Sequence, residues 1–208
     1  MRSNRWEKVM SDEKKATERG PLVPLHSSFV TGAKRILVAG IGNIFFGDDA
    51  FGCEVTRQLA SRPQPEGVRV TDFGIRSYDL AYAIMENYDA TILVDATPQG
   101  AEPGTLCLIE PDLKKLDEFP EEVVSAHSMN PVRVLQLVRS LGGHAGWIRV
   151  VGCEPAVLES ADGAMGLSER VQAAVAPAIE MIESLVRDFL RGSPQTSPQT
   201  QPASETIP

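Results

Sequence analysis

The chain has 208 residues and a mass of 22.5 kDa, a length that favours one domain of ordinary size, roughly 100–200 residues. Hydrophobic residues make up 42% and charged residues 23%, which argues against wholesale disorder, collagen-like repeats and coiled coil. No apolar run approaches the ~20 residues of a membrane span. The segment Met1 to Gly20 is charged throughout with no apolar stretch behind it, so it does not read as a secretory signal, and a cytoplasmic location is expected.

The net charge of -8 is unevenly spread. Residues 1–32 carry six of the 20 Lys/Arg and four of the 28 Asp/Glu, which leaves 14 against 24, or -10, for the remainder. An acidic body argues against nucleic acid or an anionic membrane as partner, because phosphate needs Lys and Arg to neutralise it. The three cysteines, Cys53, Cys107 and Cys153, are far apart and form no CxxC pair. They fit buried reduced thiols better than a disulfide framework or structural zinc site.

In chain order, residues 1–32 lack either hydrophobic period and read as a disordered extension, preceding a domain over 33–191. Arg35 to Gly40 is a continuous apolar run, the pattern of a strand covered on both faces, and a helix is expected from about Ala50 to Ala60. Val68 to Phe73 alternates as a strand does, Asp79 to Asn87 reads as helix, and Thr91 to Asp95 is a second buried run. Gly104 to Ile109 follows a Pro-Gly turn with no room for a crossover helix, so it is expected as an antiparallel edge strand. Pro131 opens a helix through Leu141, Trp147 to Gly152 is the last strand, and Ser168 is positioned to cap a final helix to about Leu190. Residues 192–208 form a Pro/Gln/Ser/Thr tail, also expected to be disordered. Strands alternating with helices predict an α/β fold with a mostly parallel sheet, helices on both faces, and sites at the carboxyl ends of the strands.

The first strand runs into Gly40-Ile-Gly-Asn-Ile-Phe-Phe-Gly-Asp-Asp-Ala-Phe-Gly52. A dinucleotide fingerprint would need glycine at position 45, where Phe45 stands, and two acids at the end of the loop would repel a pyrophosphate. Asp48 and Asp49 immediately precede the expected helix, so capping of its amides competes with metal ligation or acid/base work. Asp95 ends a buried strand, where an ionised carboxylate is costly unless paired, hydrogen-bonded or metal-bound; a turn-forming aspartate is the competing reading. His26 and His144 lie in polar contexts and read as solvated, whereas His127 stands just before the helix opened by Pro131. Asp49, Asp95 and His127 fall at three strand-helix junctions that can converge on one edge of the sheet, an O,O,N set suited to a borderline divalent ion such as nickel or zinc. Asp49 is alternatively an acid/base group. Cys53 is read as a core thiol because no histidine is near it in sequence to activate it.

The run GIGNIFFGDDAFG, the strand-end VDA followed by PGTL at Pro103 to Leu106, and the H-x-x-x-P segment from His127 to Pro131 together resemble the maturation endopeptidases of nickel-iron hydrogenases. The likeness covers about residues 34–190. It implies a three-layer α/β/α sandwich and removal of a C-terminal extension from the hydrogenase large-subunit precursor after nickel insertion. It also implies that Asp49, Asp95 and His127 ligate nickel supplied by the substrate, with no permanently bound cofactor and no serine or cysteine nucleophile. The turn Asp72-Phe-Gly-Ile-Arg-Ser77 departs from the Gly-Gly-Thr-like turn of many members. Arg76 within it is a candidate for receiving a carboxylate of the substrate. Two other functions remain open to the sequence: a non-catalytic metallocentre checkpoint or chaperone module, and a self-contained zinc metallohydrolase.

Overall fold

The computed structural model describes residues 33–114, 116, 130–158 and 165–192. The expectations made for residues 1–32, His26, His127 and residues 193–208 lie outside them. Five strands form one sheet: β1 (Ile36–Ile41), β2 (Val68–Gly74), β3 (Ala90–Ala96), β4 (Leu106–Ile109) and β5 (Trp147–Cys153). Four helices join them: α1 (Phe51–Ala60), entered through a 3-10 turn over Gly47–Ala50, α2 (Ser77–Ile84), α3 (Pro131–Ser140) and α4 (Glu169–Arg191).

The strand order is β2-β1-β3-β5-β4. Pairing is parallel except for β4, which runs antiparallel to β5 with Leu106 opposite Cys153. The short strand after the Pro103-Gly104 turn is therefore the antiparallel edge expected from sequence, although its neighbour is β5 and not the preceding strand.

Alternation along β1 divides the apolar side chains between two cores. Ile36 and Val38 join Phe51, Val55 and Leu59 of α1 and the inner face of α4. Leu37, Ala39 and Ile41 join Leu80 and Ile84 of α2 and Val134, Leu135 and Val138 of α3. β1 and β3 are buried along their whole length, as strands with helices on both faces must be. The result is the three-layer α/β/α sandwich. α2 starts and ends earlier than its hydrophobic pattern indicates, because the chain turns after Ile84 and Asn87 adopts the left-handed conformation, φ 61°. At α3, Pro131 occupies the first turn and the Asn130 side chain accepts the Arg133 N–H at 2.9 Å.

Two close approaches set the path from β1 into α1. A Cβ on Gly52 would strike the carbonyl oxygens of Ile41 and Val94, so only glycine lets the first turn of α1 rest on the ends of β1 and β3. Gly42, at φ 135°, has no room for a Cβ beside the Asp49 carbonyl.

Neither loop aspartate caps its own helix; no side chain bonds the amides at the start of the 3-10 turn or of α1. Asp48 is instead fully buried and reaches across the fold. Its carboxylate accepts the N–H groups of Ala156 at 2.8 Å, Val157 at 2.9 Å and Ser168 at 2.6 Å, and the Ser168 hydroxyl at 3.0 Å. Ser168 does sit at the N-cap of α4, but its hydroxyl goes to Asp48 and not to the helix amides. Asp48 thus ties the first loop to the segment after β5 and to the start of α4. Asp48→Ala leaves these donors unpaired and is expected to cost about 3 kcal/mol in urea unfolding, since hydrogen bonds to a charged group contribute ~1.5–3 kcal/mol. A loss below about 1 kcal/mol would contradict the anchoring role assigned to Asp48.

Candidate functional site

The chain passes from β1 outward to β2 and then crosses back to β3 on the other side of β1. In open α/β sheets this reversal opens a crevice at the carboxyl ends of the two diverging strands, where ligands bind. Asp49 hangs over the end of β1 from the 3-10 turn, and Asp95 is the penultimate residue of β3. The fold thus brings these two acids, 46 positions apart in the chain, to the same crevice.

Their environments differ. Asp49 is half-buried, and its Oδ2 accepts the Asn43 N–H at 2.7 Å. Burial raises its pKa, and the Asn43 amide partly offsets the rise. Asp95 is 3% exposed. Its Oδ1 has no hydrogen-bond partner among the described residues, and neither has the hydroxyl of nearby Thr97. Its carboxyl is held well above the usual carboxylate range, first by burial and then by the negative charge of Asp49, with the Ala96 amide opposing both. Two acids that disfavour each other's ionisation in a poorly solvated crevice form a site that gains from a cation or a proton.

Cys53 lies one turn into α1 beneath these groups. Its thiol donates to the Gly42 carbonyl at 3.5 Å. Burial, followed by the carboxylates of Asp72, Asp49 and Asp95, pushes the thiol far above its ordinary range. It stays protonated and is a poor nucleophile. The other two cysteines are also free, Cys153 buried and Cys107 half-buried, so the expectation of three buried thiols is corrected at Cys107, which sits on the edge strand β4.

Asp72 was not among the acids singled out from sequence. It lies near the end of β2 opposite Gly40 of β1, and its Oδ1 accepts the Gly74 N–H at 2.9 Å. The signal that could have found it is the one that found Asp95, an acid at the carboxyl end of a parallel strand. β2 is only partly buried, and its weaker apolar run hides the strand end. Asp72 and Cys53 line an open cleft of about 290 Å³ between the β1–α1 loop and the β2–α2 turn.

Arg76 borders the same cleft, but its guanidinium is already engaged. Nε donates to the Phe73 carbonyl at 3.0 Å, Nη2 to the Asp72 carbonyl at 2.5 Å, and Nη1 lies 4.0 Å from Asp79. These contacts hold its own turn, and with 59% of the side chain exposed Arg76 keeps surface toward the cleft. His144 is exposed, as its Gly-rich surroundings indicate. His127, the third member of the expected ligand set, is outside the described residues. Among the described residues, no three His, Cys, Asp or Glu side chains gather into a metal-holding group.

The comparisons with known proteins agree with this geometry. A profile of the HycI hydrogenase maturation proteases matches residues 53–185. A Methanocaldococcus jannaschii protein provisionally named a hydrogenase maturation protease is 35% identical over 150 residues, covering 72% of this chain and 94% of that one. The hydrogenase 2 maturation protease of Escherichia coli is 30% identical over 156 residues, covering 74% and 92%. The structure of the hydrogenase maturating endopeptidase HybD from E. coli superposes with a TM-score of 0.63 at 29% identity, covering 74% of this chain and 93% of that one. With the profile spanning most of the domain and the strand-end acids in their crevice, the chain belongs to the hydrogenase maturation protease family and is a peptidase.

Proposed function

We propose that this peptidase removes the C-terminal extension of a nickel-iron hydrogenase large-subunit precursor after nickel insertion, and that the substrate's nickel is the element it recognises. The observation that carries this reading is the Asp95 oxygen, buried and without a partner among the described residues, beside the half-buried Asp49. A cation arriving with the substrate satisfies that oxygen and cancels the repulsion between the two acids. Asp49 and Asp95, with His127 as third ligand, then supplement the ligands that the substrate itself provides.

Asp49 has two alternative roles here, as a ligand or, where the substrate itself holds the metal, as the base for the hydrolytic water. Amide hydrolysis needs a polarised carbonyl and a water that loses its proton. Asp95, buried and fixed by its strand, acts as ligand. Asp49 is closer to solvent, and burial moves its pKa toward the working range of a general base. The protonated Cys53 thiol takes no covalent part. No helix among the described residues is long and apolar enough to cross a membrane, and a cytoplasmic protein acting on a cytoplasmic precursor fits the reading.

Asp49→Asn is expected to slow processing by ~10²-fold or more, the usual contribution of a general base. Asp95→Asn and His127→Gln are expected to slow it comparably. Mass analysis of the precursor measures all three, and full activity in any two variants would defeat the assignment. Stability should move the other way at Asp95. Its pKa is raised on folding, so between the ordinary value near 3.8 and the raised one the native state binds more protons than the unfolded chain. Stability from this group is present at low pH and is lost as pH rises through that window. Asp95→Asn should therefore melt above the wild type at pH 8, with the difference shrinking toward pH 4; equal melting at both pH values would oppose the reading.

Matched nickel-loaded and nickel-free precursors test the gating directly. The expected result is C-terminal truncation of the loaded form alone. Equal truncation of both would favour a self-contained metallohydrolase, and binding without mass loss would favour a checkpoint module.

A further inference from the structure

Three large apolar side chains are exposed around one small cleft. Ile44 and Phe45, 49% and 58% exposed, stand on the β1–α1 loop, and Ile75, 60% exposed, stands opposite on the β2–α2 turn. Single exposed apolar residues are ordinary, but several converging on one concavity mark a contact surface. The cleft is continuous with the acids of the site. Asn43 forms part of its wall and donates its N–H to Asp49, while Cys53 lines the cleft and is close enough to Asp49 and Asp95 to feel their charge.

We propose that this cleft docks an apolar side chain from the C-terminal extension of the hydrogenase large-subunit precursor, gripped between Phe45 and Ile75. The inference rests on the processing reaction proposed above. Size selects the extension over a folded surface: about 290 Å³ lies near the ~300 Å³ lower limit of ligand clefts, whereas a stable interface between folded proteins buries ~800 Å² on each partner. Position selects it again, because the extension is the part of the precursor that must pass beside Asp49. Charge favours neither sign of occupant, since Asp72 and Arg76 both line the cleft, and Arg76 donates in addition to the Phe73 and Asp72 carbonyls. What is left for binding is apolar area.

The test pairs a change on each side of the contact. Phe45→Ser/Ile75→Ser is compared with wild type on nickel-loaded precursor, and both proteins are compared on a precursor whose extension has its apolar residues replaced by serine. The double variant should raise KM about tenfold with kcat within about twofold and an unchanged melting temperature, the signature of lost binding apart from chemistry. Wild type acting on the serine-substituted precursor should show a similar penalty. Combining the two changes should add little, because both remove the same contact. An unchanged KM in the double variant, or penalties that multiply independently, would overturn the inference while leaving the processing reaction intact. A double variant that fails to fold leaves the substrate-side change as the test, and full KM retention on the serine-substituted precursor would then overturn it. If light scattering shows that wild type pairs with a second copy, and the double variant loses only that pairing, the cleft is a contact between copies and the inference falls. Failure of wild type to cut nickel-loaded precursor would instead overturn the processing reaction, and the inference with it.

Discussion

A carboxylate placed at the end of a strand whose two faces are both covered by helices loses most of its water, and what replaces that water governs the rest of the site. Asp95 meets this constraint incompletely. The Ala96 amide offsets part of the cost, one oxygen has no partner among the described residues, and Asp49 adds a like charge nearby. The same burial that makes β3 a good central strand makes its terminal acid electrostatically unsatisfied. The proposed function gives that imbalance a meaning, because recognising a metal in the substrate needs ligands that are poised and not already neutralised.

The surroundings hold this imbalance in place. Gly52 allows α1 to rest on the ends of β1 and β3, which brings the 3-10 turn and Asp49 over the crevice. Asp48, adjacent in sequence, faces the opposite way and fastens the loop to Ser168 and the segment after β5. One aspartate is fully satisfied and anchors the loop. The next accepts the Asn43 N–H and faces the crevice. Asn43 links the second of these to the cleft wall, so the loop from β1 carries the anchor, the crevice acid and one wall of the cleft within a few residues.

Most of the fold was legible in the sequence because central strands of a parallel sheet announce themselves as largely apolar runs, as Ile36–Ile41 and the Ile92, Leu93 and Val94 stretch of β3 do. The rule that sites lie at the carboxyl edge singled out Asp49 and Asp95, which the structure brings to one crevice. Three features were less readable for physical reasons. Asp48 and Asp49 are equivalent as local capping residues, and only the long-range donors at Ala156, Val157 and Ser168 separate them. Arg76 reads in sequence as an exposed cation, and only the structure shows that it also donates to carbonyls three and four residues behind it. Asp72 ends a partly exposed edge strand whose alternation carries little apolar signal, so the acid closest to the cleft was the one that periodicity did not mark.

The account depends on Asp95 being a carboxyl whose ionisation is opposed by burial and by Asp49. Carboxyl carbon NMR of Asp95, followed through a pH titration in the metal-free protein and in Asp49→Asn, measures this directly. The account predicts a midpoint well above the ordinary value near 3.8, moving down in Asp49→Asn but staying raised, since burial is the larger cause. A midpoint at or below the ordinary value in the wild type, unchanged by Asp49→Asn, would contradict it.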